Sequence, residues 1–275
     1  METIQQRRES FDKLGGIYPK NESVNVQQEF INGVNCYWLT PAKPASNKII
    51  IHLHGGVYAI GSINSHGSML SHIASQLQAK VLFVDYSLAP ERPFPAAIND
   101  VMNVYREIIS TYPGVEINFI GDSAGAGLII SAVYEMLSEE IQLPAAVAMI
   151  SPWISLSCDN ASYETNKGID PILSQNYLKD SAVDYAGDIE MEIVNTENLK
   201  FSAFPPVLII VGTNEVLLDD SINFYNYIKH IQPKSKLTIY ENQNHVWPLA
   251  NIHSEASKQA LGEVESFLTF STELV

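Results

Sequence analysis

The five residues Gly121-Asp122-Ser123-Ala124-Gly125 constrain this chain more than any other stretch. They stand between an apolar run, Val115 to Ile120, and a helical pattern, Ala126 to Leu137. Strand, sharp turn and helix in that order form a nucleophile elbow. The turn is tight and strained, so the positions two before and two after the serine tolerate little or no side chain. Ser123 then projects its hydroxyl from the top of a sheet. The N-terminus of the next helix lies beneath it and favours negative charge there. A glycine-flanked serine also caps helices with no chemistry attached, and G-x-S-x-G alone recurs by chance. The rest of the chain has to decide.

Apolar-rich strands are predicted at Ile49 to His54, Lys80 to Asp85, Val115 to Ile120, Ala145 to Ile150, Val207 to Val211 and Lys236 to Tyr240. Helical patterns separate them: Ser65 to Gln78, Ala96 to Ser110, Ala126 to Leu137, Asp219 to Ile231 and Ser254 to Phe270. Short buried strands alternating with helices argue a parallel, doubly wound α/β sheet. Ahead of it, Val24 to Phe30 and Val34 to Leu39 alternate across Asn32-Gly33, which reads as an antiparallel hairpin. Pro41 to Asn47 reads as a loop. The expected sheet has about eight strands in one domain spanning 1–275, a normal size for a single α/β unit.

The interval Ser155 to Phe204 breaks the rhythm, being long, polar and irregular around one predicted helix at Ser174 to Tyr185. Residues 1–20 read as a helix packed over something rather than as core. Ligands of such sheets bind outside the carboxyl ends of the strands, and long excursions in compact domains are usually functional or mobile. The expectation is a small helical lid formed by about 1–20 and 155–204; the alternative is a surface decoration.

The net charge of −15, with no basic run, repels phosphate backbones and anionic lipid, so neither nucleic acid nor membrane is an expected partner. No apolar run reaches the roughly 18–20 residues of a membrane span, and Met1 to Arg8 carries no secretory pattern. The two cysteines, Cys36 and Cys158, match no metal spacing and read as idle thiols in a reducing, cytoplasmic compartment.

Acyl transfer needs a base, an acid that orients it and oxyanion donors. Three histidines follow Ser123 closely enough in order to serve: His230, His245 and His253. His230 falls near a helix C-terminus, which explains it structurally, and His253 reads as solvated. His245 lies in a loop just after the last strand and is the chosen base. Three carboxylates compete for the acid in the loop after Val207 to Val211. Asp219 and Asp220 suit a cap or first turn. Glu215 sits nearer the strand end and is preferred, its role being to hold the imidazole tautomer. After the first of these strands comes His54-Gly55-Gly56-Val57-Tyr58. Its glycines let backbone N–H groups approach a ligand, with the N–H of Ala124 as partner. An ordinary turn would use the same glycines, and His54 reads as a loop anchor rather than a second base.

Together these residues resemble the hormone-sensitive-lipase group of the α/β-hydrolases, from roughly Asn47 onward. His54-Gly55-Gly56-Val57-Tyr58 with Gly61-Ser62 is similar to the group's H-G-G-G-[FY]-x-x-G-S loop. Asp85 to Ala97 resembles its D-Y-R-L-A-P-E-x-P-F-P-A-A stretch, Gly121 to Gly125 its G-D-S-A-G elbow, and His245-Val246-Trp247 its H-x-[FW] histidine. The resemblance implies an α/β-hydrolase fold and a carboxylic-ester hydrolase with no metal and no organic cofactor. It maps the nucleophile to Ser123, the base to His245 and the acid to Glu215. The oxyanion donors map to the N–H groups of Gly56, Val57 and Ala124, with Gly55 shaping the loop. The chain departs from the group at Val57, where the third glycine is expected; the N–H survives, while the branched side chain restricts the backbone.

The expected activity is hydrolysis of small acetyl-type esters through an acyl-enzyme, by a monomer or homodimer. A ligand-binding protein on a hydrolase scaffold and an amidase or lactonase using the same residues are the alternatives.

Overall fold

The computed structural model describes residues 2–45 and 47–270. Met1 of the expected lid, Ser46 of the 41–47 loop and the last five residues lie outside them. Eight strands form one sheet: β1 (Val24–Ile31), β2 (Val34–Pro41), β3 (Lys48–Leu53), β4 (Lys80–Val84), β5 (Glu116–Asp122), β6 (Ala146–Ile150), β7 (Val207–Gly212) and β8 (Lys236–Tyr240). Their order is β1-β2-β4-β3-β5-β6-β7-β8, with β1–β2 and β2–β4 antiparallel and every other pair parallel. The hairpin turns on Asn32 and Gly33, both at positive φ (46° and 83°), as a two-residue turn matched to strand twist requires.

Strands β5, β6 and β7 are buried almost end to end, since helices cover both faces of the sheet. On one face lie α2 (Ile63–Leu77) and, late in the chain, α10 (Glu255–Phe270), with Met69, Leu70, Ala260 and Val264 packed on Ile50, Val81 and Ile210. On the other lie α3 (Ala96–Thr111), α4 (Ala124–Ser138) and α8 (Leu218–Ile228), whose Val104, Ile129 and Phe224 join Ile51, Phe119 and Ile209. This is an α/β-hydrolase fold.

The differences from the sequence reading sit at element ends and in short helices that carry no pattern of their own. Strand β5 runs on to Asp122 and α4 starts at Ala124, so the elbow is a single residue, Ser123. Residues 1–20 hold a shorter helix, α1 (Ile4–Asp12), followed by a 3-10 turn at Lys13–Gly16. The excursion 155–204 carries α5 (Ser162–Thr165), α6 (Gln175–Ala186) and α7 (Met191–Val194), with Ser174 capping α6. The short α9 (Trp247–Ala250) follows β8. Among the described residues no helix is long and apolar enough to cross a membrane.

Candidate active site

Ser123 sits at φ 52°, ψ −121°, a region that costs a non-glycine residue about 1–3 kcal/mol and persists only when its surroundings fix it. They do so here. Its N–H donates to Ile150 O at 2.9 Å, and its carbonyl accepts from Trp153 N at 3.1 Å and Ala126 N at 3.1 Å. Gly125 is glycine because a methyl there would overlap the Leu53 carbonyl of β3. The elbow and the loop after β3 are therefore in backbone contact.

His245 lies in the loop between β8 and α9. Its Nε2 is 2.9 Å from Ser123 Oγ, and its Nδ1 is 2.8 Å from Glu215 Oε2. Glu215 is fully buried, and its other oxygen accepts from Ser151 Oγ at 2.7 Å and Gly212 N at 2.6 Å. A carboxylate only accepts, so the proton of the Glu215 bond is on Nδ1. Nε2 then faces the serine hydroxyl as a lone pair, the arrangement a general base needs. Ser151 also accepts the N–H of Val246, at 3.1 Å, which fixes the residue after the histidine.

The competing residues lie elsewhere. Asp219 and Asp220 are in the first turn of α8, as expected, but their carboxylates reach across to the excursion rather than cap the helix. Asp219 accepts from Ser162 N; Asp220 accepts from Ile154 N, Ser155 N and Asn160 Nδ2. His253 is exposed and packs its ring against Tyr18 and His72. Cys36 and Cys158 are unpaired and buried, and burial pushes their thiols up to about 12 and about 11, so neither offers a thiolate near neutrality.

Gly55, Gly56 and Val57 form the turn after β3. Among the described residues no hydrogen bond uses the N–H of Gly56 or Val57. Val57 is buried at φ 51° and Tyr58 follows at φ 60°, a left-handed pair that is unusual for a β-branched residue. Asp122, the second residue of the elbow motif, braces the loop after β3. Its Oδ2 accepts the N–H of Gly55 at 3.0 Å, and His66 Nε2 and His52 Nε2 lie 3.3 Å and 3.2 Å from its two oxygens. Burial alone would raise the pKa of Asp122, but the two imidazoles beside it hold it well below the ordinary carboxylate range. Ser151, His52 and His66 carry no motif of their own; the signal available for Ser151 was its place at the carboxyl end of a buried strand.

A cavity of about 440 Å³ opens above Ser123 and His245. Phe11 and Leu14 reach it from the N-terminal segment, and Ile172, Leu173 and Tyr177 from the excursion. Val57, Ile60, Val246 and Leu249 complete a lining that is apolar apart from Asp122, Ser123, His245 and Tyr177. Arg7 Nη2 donates to the Tyr177 hydroxyl at 2.8 Å, joining α1 to α6, and Arg8 Nε donates to Ala59 O at 2.9 Å. Among the described residues no group of three or more His, Cys, Asp or Glu side chains is arranged to hold a metal ion.

This sheet, elbow and loop define a class, and comparison with known proteins gives the same one. The family described as alpha/beta hydrolase fold matches residues 50–249. The chain belongs to that family and, within it, to the hormone-sensitive-lipase-like group of esterases. It is 36% identical to an acetyl-hydrolase of Streptomyces hygroscopicus over 78% of this chain and 70% of that protein. It is 29% identical to an esterase of Acinetobacter venetianus over 95% of this chain and 88% of that one. The crystal structure of an esterase from the bacterial hormone-sensitive lipase family superposes with a TM-score of 0.94 at 31% identity, covering 98% and 91% of the two chains. The chain is a carboxylic ester hydrolase.

Proposed function

We propose that this hydrolase cleaves small, uncharged acetyl-type esters through an acyl-enzyme on Ser123. The observation that carries the proposal is the hydrogen-bonded row Ser123–His245–Glu215 at the floor of an apolar cavity. Ser123 attacks the ester carbonyl as His245 takes its proton. The tetrahedral oxyanion rests on the N–H groups of Gly56, Val57 and Ala124. Collapse releases the alcohol, to which His245 returns the proton, and leaves the acyl group on Ser123. His245, oriented by Glu215, then activates water for deacylation. The row supports this sequence of steps because the serine hydroxyl already lies within hydrogen-bond reach of the base, and the base within reach of the carboxylate that orients it.

The cavity supports the substrate class. Among the described residues its lining offers no cationic side chain for a carboxylate or phosphate substituent; outside Ser123 and His245 its polar side chains are Tyr177, engaged by Arg7, and Asp122, engaged by the N–H of Gly55. The acetyl-hydrolase relative supports a short acyl group. Residues 2–20 and 155–204 act as the lid over this cavity, a reading supported by the five side chains they send into its lining.

The test is a panel of p-nitrophenyl esters, acetylated sugars, matched amides and lactones, with fluorophosphonate labelling read by peptide mass. Stoichiometric label on Ser123, with acetate and butyrate esters turned over fastest, is the expected result. Activity that rises steadily toward long, emulsified chains would remove the short-acyl reading. An unlabelled Ser123 would remove it as the nucleophile.

Val57 gives a prediction on the alcohol side of the ester. Its side chain forms part of the wall beside Ser123 where the group's pattern has no side chain. Val57→Gly should raise turnover of tertiary-alcohol acetates relative to p-nitrophenyl acetate by about tenfold, the scale of the 1–3 kcal/mol at stake for a methylene or two in an apolar pocket. An unchanged alcohol preference, measured as a ratio of kcat/KM values, would count against Val57 as that wall.

A further inference from the structure

The excursion and the N-terminal segment send five side chains into the cavity, and the hydroxyl of Tyr177 is the one polar group among them. Phe11, Leu14, Ile172 and Leu173 offer only carbon. Tyr177 stands in the first turn of α6 and is half-buried. The segment that carries it is tied down. Asp170 Oδ1 accepts from Leu173 N at 2.9 Å, and Asp170 Oδ2 accepts from Val216 N at 3.0 Å, next to Glu215. Ser174 Oγ accepts from Tyr177 N at 3.3 Å, and Gln175 Nε2 donates to Cys158 O at 2.7 Å. On the ring itself sits Arg7, its guanidinium carbon 5.2 Å from the ring centre.

Arg7 Nη2 lies 2.8 Å from the Tyr177 oxygen. A guanidinium is always charged and only donates. The phenol oxygen must therefore accept, and its own hydrogen goes elsewhere. No described residue accepts that hydrogen. Tyr177 lines the cavity and Arg7 does not, so the side of the oxygen turned away from the guanidinium is the side that meets the cavity. A hydroxyl that accepts from a cation is polarised and donates the more strongly. The wall thus presents one oriented donor in carbon surroundings, where a ligand oxygen finds a single partner. A short acyl group stays at Ser123, which leaves the reach up to the lid to the alcohol half of the ester.

We propose that Tyr177 is a specificity-determining residue whose hydroxyl donates to an ether or hydroxyl oxygen in the alcohol half of the ester. Acetates of oxygenated alcohols, the polyol and sugar class, are then preferred over acetates of plain hydrocarbon alcohols. The proposal rests on the esterase reading and on its short acyl group.

Two matched pairs of substrates read the preference: methoxyethyl acetate against butyl acetate, and methoxyethoxyethyl acetate against heptyl acetate. Within a pair the alcohols have equal chain length and differ only in ether oxygens, set at two depths across the pairs. The measured quantity is the ether-over-alkyl ratio of kcat/KM. Differences in intrinsic reactivity cancel when a variant's ratio is set against that of the wild type. Tyr177→Phe keeps the ring and removes the O–H. Its ratio should fall about tenfold in at least one pair, the scale of one hydrogen bond from a polarised donor. Arg7→Leu breaks the same tie between α1 and α6 but keeps the Tyr177 O–H, which can rotate to suit a ligand. It should melt lower, as Tyr177→Phe does, yet hold its ratio within about threefold of wild type. A merely structural tie would weaken all four esters alike. A Tyr177→Phe ratio within about threefold of wild type in both pairs, or an Arg7→Leu ratio that falls as far as that of Tyr177→Phe, therefore overturns the proposal. A wild-type protein inactive on all four esters and on p-nitrophenyl acetate removes the esterase reading, and this proposal with it. Should Tyr177→Phe not fold, a crystal structure of Ser123→Ala soaked with methoxyethoxyethyl acetate decides. An ether oxygen within hydrogen-bond distance of Tyr177 Oη supports the proposal, and an ether chain lying away from it overturns it.

Discussion

Ser123→Ala should lower kcat on p-nitrophenyl acetate by about 10⁵-fold or more, the scale seen when a triad nucleophile is removed from a serine hydrolase. The proposed reaction passes through a bond from Ser123 Oγ to the acyl carbon, and a methyl group cannot form it. Some catalysis over water should remain, on the order of 10³-fold, because the substitution leaves the proposed oxyanion donors, the N–H groups of Gly56, Val57 and Ala124, in place. The variant should fold. Among the described residues Ser123 Oγ bonds only His245, and the strained backbone at φ 52° is held by main-chain bonds to Ile150, Trp153 and Ala126 that alanine leaves in place. Alanine is no worse than serine in that region, so the melting temperature should move by a few degrees at most. Kinetics, thermal melting and fluorophosphonate labelling of the same preparation decide it. A folded variant keeping a tenth of wild-type activity would mean that Ser123 is not the nucleophile.

The sequence carried the frame of this protein because its frame is written in local pattern. Ile49 to Ile51 and Val207 to Val211 are short runs of branched apolar residues, whose length and composition favour a strand covered on both faces. Asn32-Gly33 announces a turn because both positions need positive φ. The serine, histidine and carboxylate that motif, chain order and loop position select lie within one hydrogen-bonded row. What stayed hidden is set by contacts between elements remote in sequence. Ser151 meets Glu215 only because β6 and β7 end side by side. Asp122 meets Gly55 only because β5 lies next to β3. Asp219 and Asp220 read as a helix cap, yet the N–H groups of Ile154, Ser155 and Ser162 supply donors that no local pattern reveals. Val57 shows the same limit: its identity is a visible departure from the family's glycine, but its left-handed backbone is visible only in the fold.

Glu215→Gln should lower kcat by about 10³- to 10⁴-fold while leaving the fold intact, as amide substitution of a triad carboxylate does through the tautomer. The carboxylate serves three donors at once: Ser151 Oγ and Gly212 N on Oε1, and His245 Nδ1 on Oε2. Glutamine has one oxygen and one NH₂ group. Two donors converge at the Oε1 position, so the amide oxygen belongs there and the NH₂ group turns to His245. Nδ1 must then accept, which moves the imidazole proton to Nε2. A protonated Nε2 cannot take the proton of Ser123, so the loss should appear in kcat with KM changed little. Every hydrogen bond is still made with one donor reversed, so the melting temperature should fall by no more than a few degrees. Glu215→Ala differs. It leaves Ser151 Oγ and Gly212 N with no acceptor in a site closed to water, and should lower both activity and stability. The two variants separate orientation from packing. If Glu215→Gln keeps activity within about tenfold of wild type, the imidazole does not depend on this carboxylate for its tautomer. The acid of the row must then be sought elsewhere, with Asp219→Asn and Asp220→Asn as the controls, since both carboxylates are committed to the excursion.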